Sequence, residues 1–183
     1  MRTKTFLFEP LPMVRKFART IADAAADAPI LDVACGTGRN GMYLAQLGCT
    51  VLCVDKDLSR FERAQQQAPA VVQDHLKATS FNFATDKWPY GRSSLGGIID
   101  VHFFLPALFP AFRNSLMPGG YLLFETPPGC GGNYRDLPKV GEVKEALKSA
   151  FYLELYKERR VGPSGCDAVG VQAVAKRIPW NGI

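Results

Sequence analysis

The stretch Ile30-Leu-Asp-Val-Ala-Cys-Gly-Thr-Gly-Arg-Asn-Gly41 restricts the possible folds more than any other part of this chain. The apolar run Ile30, Leu31, Val33 and Ala34 stops at the glycine-rich turn Gly36-Thr-Gly38, and a helical pattern follows. A short apolar run of this kind is a strand buried on both faces, which is the condition of a strand in a parallel sheet. The stretch therefore predicts strand, tight loop and helix in an α/β fold. Glycines let the backbone take positive φ and let a ligand come close. The first N–H groups of the next helix are unpaired donors at the positive end of its dipole, suited to a carboxylate or a phosphate.

Gly36, Gly38 and Gly41 also fit the spacing G-x-G-x-x-G, which is not diagnostic alone. Asp32 lies inside the strand, where a phosphate-binding loop gains nothing from negative charge but an ammonium group does. Val51-Leu-Cys-Val-Asp55 reads as a second strand ending in an acid placed to accept both hydroxyls of a ribose. An amine, a carboxylate and an unphosphorylated ribose describe S-adenosylmethionine (SAM) better than NAD.

Asp32-Val-Ala-Cys-Gly-Thr-Gly-Arg-Asn40, with Val54-Asp55, resembles motifs one and two of the class I SAM-dependent methyltransferases. The form Cys35-Gly-Thr-Gly-Arg-Asn40 is similar to the small tellurite-resistance-type (TehB-like) members. The resemblance implies a doubly wound, Rossmann-like sheet of seven strands in the order 3-2-1-4-5-7-6. It implies that Ala34, Gly36 and Gly38 wrap the methionine end of the cofactor, with Arg39 and Asn40 offering donors to its carboxylate. Asp32 would hold the amino group, directly or through water, and Asp55 the ribose. Lys56 would lie beside the adenosine. Similar enzymes place an acid at the adenine amino group; that position holds Asn82 here, and Asp86 competes for the role. Phe83 would either pack on the adenine or serve the core.

The chain has 183 residues, enough for one domain spanning 1–183, and 47% hydrophobic against 21% charged residues excludes disorder. The net charge of +5 has no basic run behind it; the densest cluster, Lys157, Arg159 and Arg160, reads as the solvated face of an edge strand rather than a nucleic-acid patch. Five cysteines, odd in number and without Cys-x-x-Cys, suit reduced thiols in the cytoplasm, with neither disulfide nor zinc. The N-terminus lacks the apolar region of a signal peptide, and no apolar stretch approaches the roughly 20 residues that span a membrane. Monomer and homodimer are both compatible with the sequence.

The spacing predicts a helix over Leu11–Ala26, strands near 29–34 and 50–55, and helices over 39–47 and 58–67. Residues 70–76 are ambiguous between helix and strand. Strands near 79–83 and 97–104 follow, then a helix over 107–116 and a Pro118-Gly-Gly120 turn before a strand at 121–126. A Gly/Pro-rich loop over 127–138, a helix over 141–150 and two strands at 151–160 and 168–177 complete the chain. With no helix between them, the last two strands must form an antiparallel hairpin.

His102 falls at the carboxyl end of the fourth strand, where ligands bind in such sheets. It could be a general base, a wall of the cofactor pocket or a satisfied buried residue. The loop after the fifth strand presents Tyr134, Arg135 and Cys130 as substrate contacts, and Tyr134 is a second catalytic candidate. Glu125 ends that strand. The Asn-Pro-Pro-aromatic motif of DNA amino-methyltransferases, an acid cluster for catecholate-type magnesium and the paired glutamates of arginine methyltransferases are absent. The expectation is a SAM-dependent methyltransferase of a small-molecule acceptor, with a soft nucleophile such as a thiol or a selenium or tellurium oxyanion. Its rivals are a SAM-binding sensor or scaffold without catalysis and an NAD-dependent oxidoreductase.

Overall fold

Alternation of strands and helices places seven strands side by side in the order β3-β2-β1-β4-β5-β7-β6. The computed structural model describes residues 8–129 and 132–179. After α1 (Pro12–Ala25) come β1 (Ile30–Val33), α2 (Arg39–Ala45), β2 (Val51–Asp55), α3 (Ser59–Gln65), α4 (Ala70–Gln73) and β3 (Leu76–Ser80). Then follow β4 (Leu95–Val101), α5 (Leu108–Ser115), β5 (Leu116–Glu125), α6 (Glu142–Leu147), β6 (Phe151–Arg160) and β7 (Val169–Arg177). The first five strands run parallel; β7 pairs antiparallel with both β5 and β6.

Successive side chains of each central strand serve opposite faces. Ile30 joins the core under α1 and α2 with Ile21, Leu44, Val51 and Phe61. Leu31 and Val33 join the other core, with Phe112 of α5 and Leu147 of α6. Burial on both faces explains why β1 reads as an unbroken apolar run. α1 starts at Pro12, whose missing N–H costs nothing there, and buries Met13, Val14, Ala18, Ile21 and Ala25 as one stripe.

Three boundaries depart from the sequence reading. The ambiguous 70–76 segment divides into α4 and the start of β3, so β3 runs over Leu76–Ser80 rather than 79–83. Phe81 and Phe83 leave the ladder to pack edge to face, their ring centroids 5.1 Å apart. β4 starts at Leu95 and stops at Val101, because His102 takes φ +62° and breaks the extended run. Pro118-Gly-Gly120 does not precede β5. It lies inside it, where the register against β4 shifts between Leu95 and Gly97.

Candidate active site

β1 and β4 are neighbours in the sheet, with Val33 paired to Asp100, and both end in a residue with left-handed backbone. Ala34 has φ +48° and His102 φ +62°. This conformation costs a side-chain-bearing residue on the order of 1 kcal/mol and persists where the surroundings impose it, often at functional sites.

The loop after β1 is fixed by the end of β2. Gly36 N–H donates to Asp55 Oδ2 at 2.8 Å, and Asp57 N–H donates to Asp55 Oδ1 at 3.1 Å. Cys35 N–H donates to Val54 O at 3.0 Å. Gly38, at φ +71°, begins α2, and a Cβ there would stand 2.5 Å from Phe61 Cδ2. Gly41 lets α2 lie directly on the sheet: a Cβ would meet Cys53 Sγ at 2.8 Å and Asp32 Oδ2 at 3.0 Å. Its N–H donates to that Asp32 oxygen at 3.0 Å.

Asp32 is 2% exposed. Burial pushes its pKa up to about 7; the Gly41 N–H opposes this, and the Asp55 charge adds to it. The chain thus keeps a carboxylate close to its ionisation point directly below the loop. Asp100 of β4 is a second buried acid. Burial holds its pKa well above the usual carboxylate range, with Asp32 adding to the shift, and its Oδ1 has no hydrogen-bond partner among the described residues.

Above Asp32 opens a groove of about 390 Å³ lined by Ala34, Cys35, Gly36, Thr37, Arg39 and Asn40, closed by Leu11, Arg60, Val101 and His102. Asn40 Oδ1 accepts the Leu11 N–H at 3.0 Å, so that side chain also ties α1 to the loop. Arg60 was missed in the sequence. A cation in the first turn of α3 opposes the helix dipole, and that misfit was the available signal. Asp32 lies beneath the groove without lining it.

The expected adenine side is held by local bonds. Asn82 N–H donates to Asp86 Oδ2 at 2.8 Å, and Asn82 Oδ1 accepts the Ala84 N–H at 3.1 Å, so both rival residues build one turn. Phe83 is buried among Phe81, Trp88 and Phe103, which gives it a packing role. Lys56 is exposed, and its carbonyl accepts the Ser80 hydroxyl at 3.2 Å.

Beyond His102 lies a second cavity of about 400 Å³. Glu125, Gln172 and Lys157 cross it in one row, since Glu125 pairs with Gln172 and Gln172 with Lys157 in the β5-β7-β6 ladder. Arg159, Val161 and the Thr126–Gly129 segment wall it. His102 Nε2 stands 3.9 Å from Glu125 Oε1, and His102 N–H donates to the Glu125 carbonyl at 2.7 Å. With its side chain 36% exposed, His102 is not a satisfied buried residue. Tyr134 packs on the hairpin, its ring 3.0 Å from where a Gly162 Cβ would stand, and does not line this cavity. Cys130 falls outside the described residues.

Residues 30–120 match the family described as "Methyltransferase domain". That match takes in about half of the chain. These residues are similar to a methyltransferase domain. The chain is 29% identical over 86 residues to the uncharacterized methyltransferase YodH of Bacillus subtilis (strain 168), a match covering 45% of this chain and 36% of that protein. The chain thus spans about a third of the length of that curated relative. The glycopeptide N-methyltransferase MtfA, solved with S-adenosyl-L-methionine, has a TM-score of 0.62 at 16% identity, covering 98% of this chain and 100% of that one. Geranyl diphosphate C-methyltransferase from Streptomyces coelicolor A3(2) has a TM-score of 0.62 at 14% identity, over 90% and 80%. At such identities the chain shares their fold, and no more is drawn from the likeness.

Proposed function

We propose that this chain transfers a methyl group from SAM to a small polar acceptor seated between β5, β6 and β7. The observation that carries the reading is His102, which lines both the loop-side groove and the hairpin-side cavity. A nucleophile in the second cavity would meet the reactive end of a ligand in the first at that residue.

The groove's donor set suits the cofactor. Asp32, raised to about 7 by burial that the Arg39 charge only partly offsets, gains a direct counterion when an ammonium group arrives above it. Arg39, Asn40 and Arg60 offer donors to a carboxylate at the mouth. Asp55 retains lone pairs for ribose hydroxyls beside the two N–H groups it accepts. The bound cofactor supplies an electrophilic sulfonium methyl. The chain's own task is alignment, because holding the acceptor atom in line removes most of the entropic barrier. His102 takes the proton released by the nucleophile at its imidazole, and Glu125 is placed to pair with the resulting cation.

The resemblance to tellurite-resistance-type enzymes supports a soft acceptor, a thiol or a selenium or tellurium oxyanion, and a protonated acceptor such as a thiol is the kind that passes its proton to His102. The reading places the chain in the cytoplasm as a monomer or homodimer, with free thiols reduced and no nucleic-acid or membrane partner. No helix among the described residues is long and apolar enough to cross a membrane. Fold relatives named for glycopeptide and geranyl diphosphate acceptors are compatible with a small-molecule acceptor.

Incubation with methyl-tritiated SAM and a metabolite extract tests this. Label should pass to a small-molecule fraction. Binding of S-adenosylhomocysteine without any transfer would leave a sensor, and failure to bind it would remove the reading.

A further inference from the structure

We propose that a cavity at the opposite end of the sheet is a separate binding site for a phosphate-class oxyanion. It measures about 720 Å³ and is walled by Trp88, Tyr90, Arg92, Arg113, Asn114 and Arg177, among others. Here β5 begins and β7 ends, whereas the groove lies where β1 and β4 end, so the length of the strands separates the two.

Three guanidinium groups and no carboxylate line it among the described residues. Among the described residues Arg177, 7% exposed, donates only to neutral carbonyls: Nε to Arg113 O at 3.0 Å, and Nη1 to Ala150 O at 3.1 Å and to Ile178 O at 2.5 Å. Arg113 belongs to the last turn of α5, and Ala150 to the turn after α6. A helix C-terminus carries roughly half a negative charge, so the two ends together offset about one guanidinium, while Arg113 and Arg177 bring two.

Arg113 Nε is buried with no hydrogen-bond partner among the described residues. Burial, together with the like charges of Arg113 and Arg92, lowers the pKa of Arg177. Arginine nevertheless stays protonated, so proton loss cannot relieve the repulsion. An oxyanion relieves it. It supplies the missing charge, accepts from the guanidinium N–H groups that line the cavity and matches the planar guanidinium fork, which favours phosphate geometry.

Calorimetric titration of inorganic pyrophosphate into the full chain, against a chloride buffer of equal ionic strength, tests the site. Wild type should bind it, and Arg113→Gln should bind at least about tenfold more weakly, the usual cost of one charged hydrogen bond. S-adenosylhomocysteine affinity should be equal in both. Lys157→Gln, changed in the other cavity, should keep its pyrophosphate affinity. No binding by wild type, unchanged affinity in Arg113→Gln, or a loss in Lys157→Gln instead would overturn the proposal. If Arg113→Gln does not fold, a tungstate soak of wild-type crystals decides: density between Arg113 and Arg177 supports the site, and density elsewhere or nowhere contradicts it.

Discussion

The loop-side groove and the hairpin-side cavity meet at His102, yet they are built differently. The groove draws most of its lining from contiguous residues, Ala34–Asn40, held by backbone donors to Asp32 and Asp55. The cavity gathers side chains from three strands, Glu125, Lys157 and Gln172, which no local motif links. In the groove a change of residue disturbs the backbone. On the cavity floor it changes only what the side chain offers, because Lys157 and Arg159 are exposed on an edge strand. A fold arranged in this way can fix its cofactor while varying its acceptor.

Substitutions can break or sharpen that contrast. The largest effect is expected from Asp55→Ala, which removes the acceptor of the Gly36 and Asp57 N–H groups along with the proposed ribose contact. S-adenosylhomocysteine affinity should fall about 100-fold or more, at roughly 1.5–3 kcal/mol for each charged hydrogen bond. Affinity equal to wild type in calorimetry would mean that Asp55 does not organise the groove. His102→Gln follows. Methyl transfer to the acceptor found by label should drop about 100-fold, with S-adenosylhomocysteine affinity nearly unchanged. An equal loss in both would make His102 a groove wall only.

Asp32→Asn should act on stability with a definite pH signature. Its folded pKa of about 7 is raised above the usual 3.8, so the stability from keeping it neutral is full below about pH 4 and lost as pH rises through 7. A three-unit shift corresponds to about 4 kcal/mol at most, and an imperfectly paired buried amide takes part of it back. The cofactor-free variant should therefore gain about 1–2 kcal/mol at pH 8 and nothing at pH 4, read as the difference in melting temperature. The smallest change is Lys157→Gln: the acceptor KM should rise a few-fold with kcat and cofactor affinity unchanged, as befits an exposed charge. A large fall in S-adenosylhomocysteine affinity would show that the two cavities are not separate in energy.

The same contrast explains what the sequence disclosed. Asp32, the glycine loop and Asp55 follow one another along the chain, and each requires a residue type the local backbone dictates. The doubly wound sheet followed from strict alternation, and the closing hairpin from the lack of a helix between the last two strands; their order across the sheet came from the family resemblance. Gln172 and Lys157 meet Glu125 only through the register of β5, β7 and β6, which hydrophobic alternation does not specify for half-exposed strands. Tyr134 read as a substrate contact because its loop is glycine-rich, and its ring stands against Gly162. β3 was placed three residues late because Phe81 and Phe83 look like strand residues, while their rings pack in an aromatic cluster outside the ladder.

Calorimetry of S-adenosylhomocysteine binding to wild type and Asp32→Asn at pH 6 and pH 8 tests the central claim most directly. If Asp32 must ionise to hold the ligand's ammonium group, wild-type affinity rises about tenfold between those pH values, binding releases a proton, and the variant binds weakly at both. Equal affinity in a folded Asp32→Asn protein, or wild-type binding that does not change with pH, would contradict it.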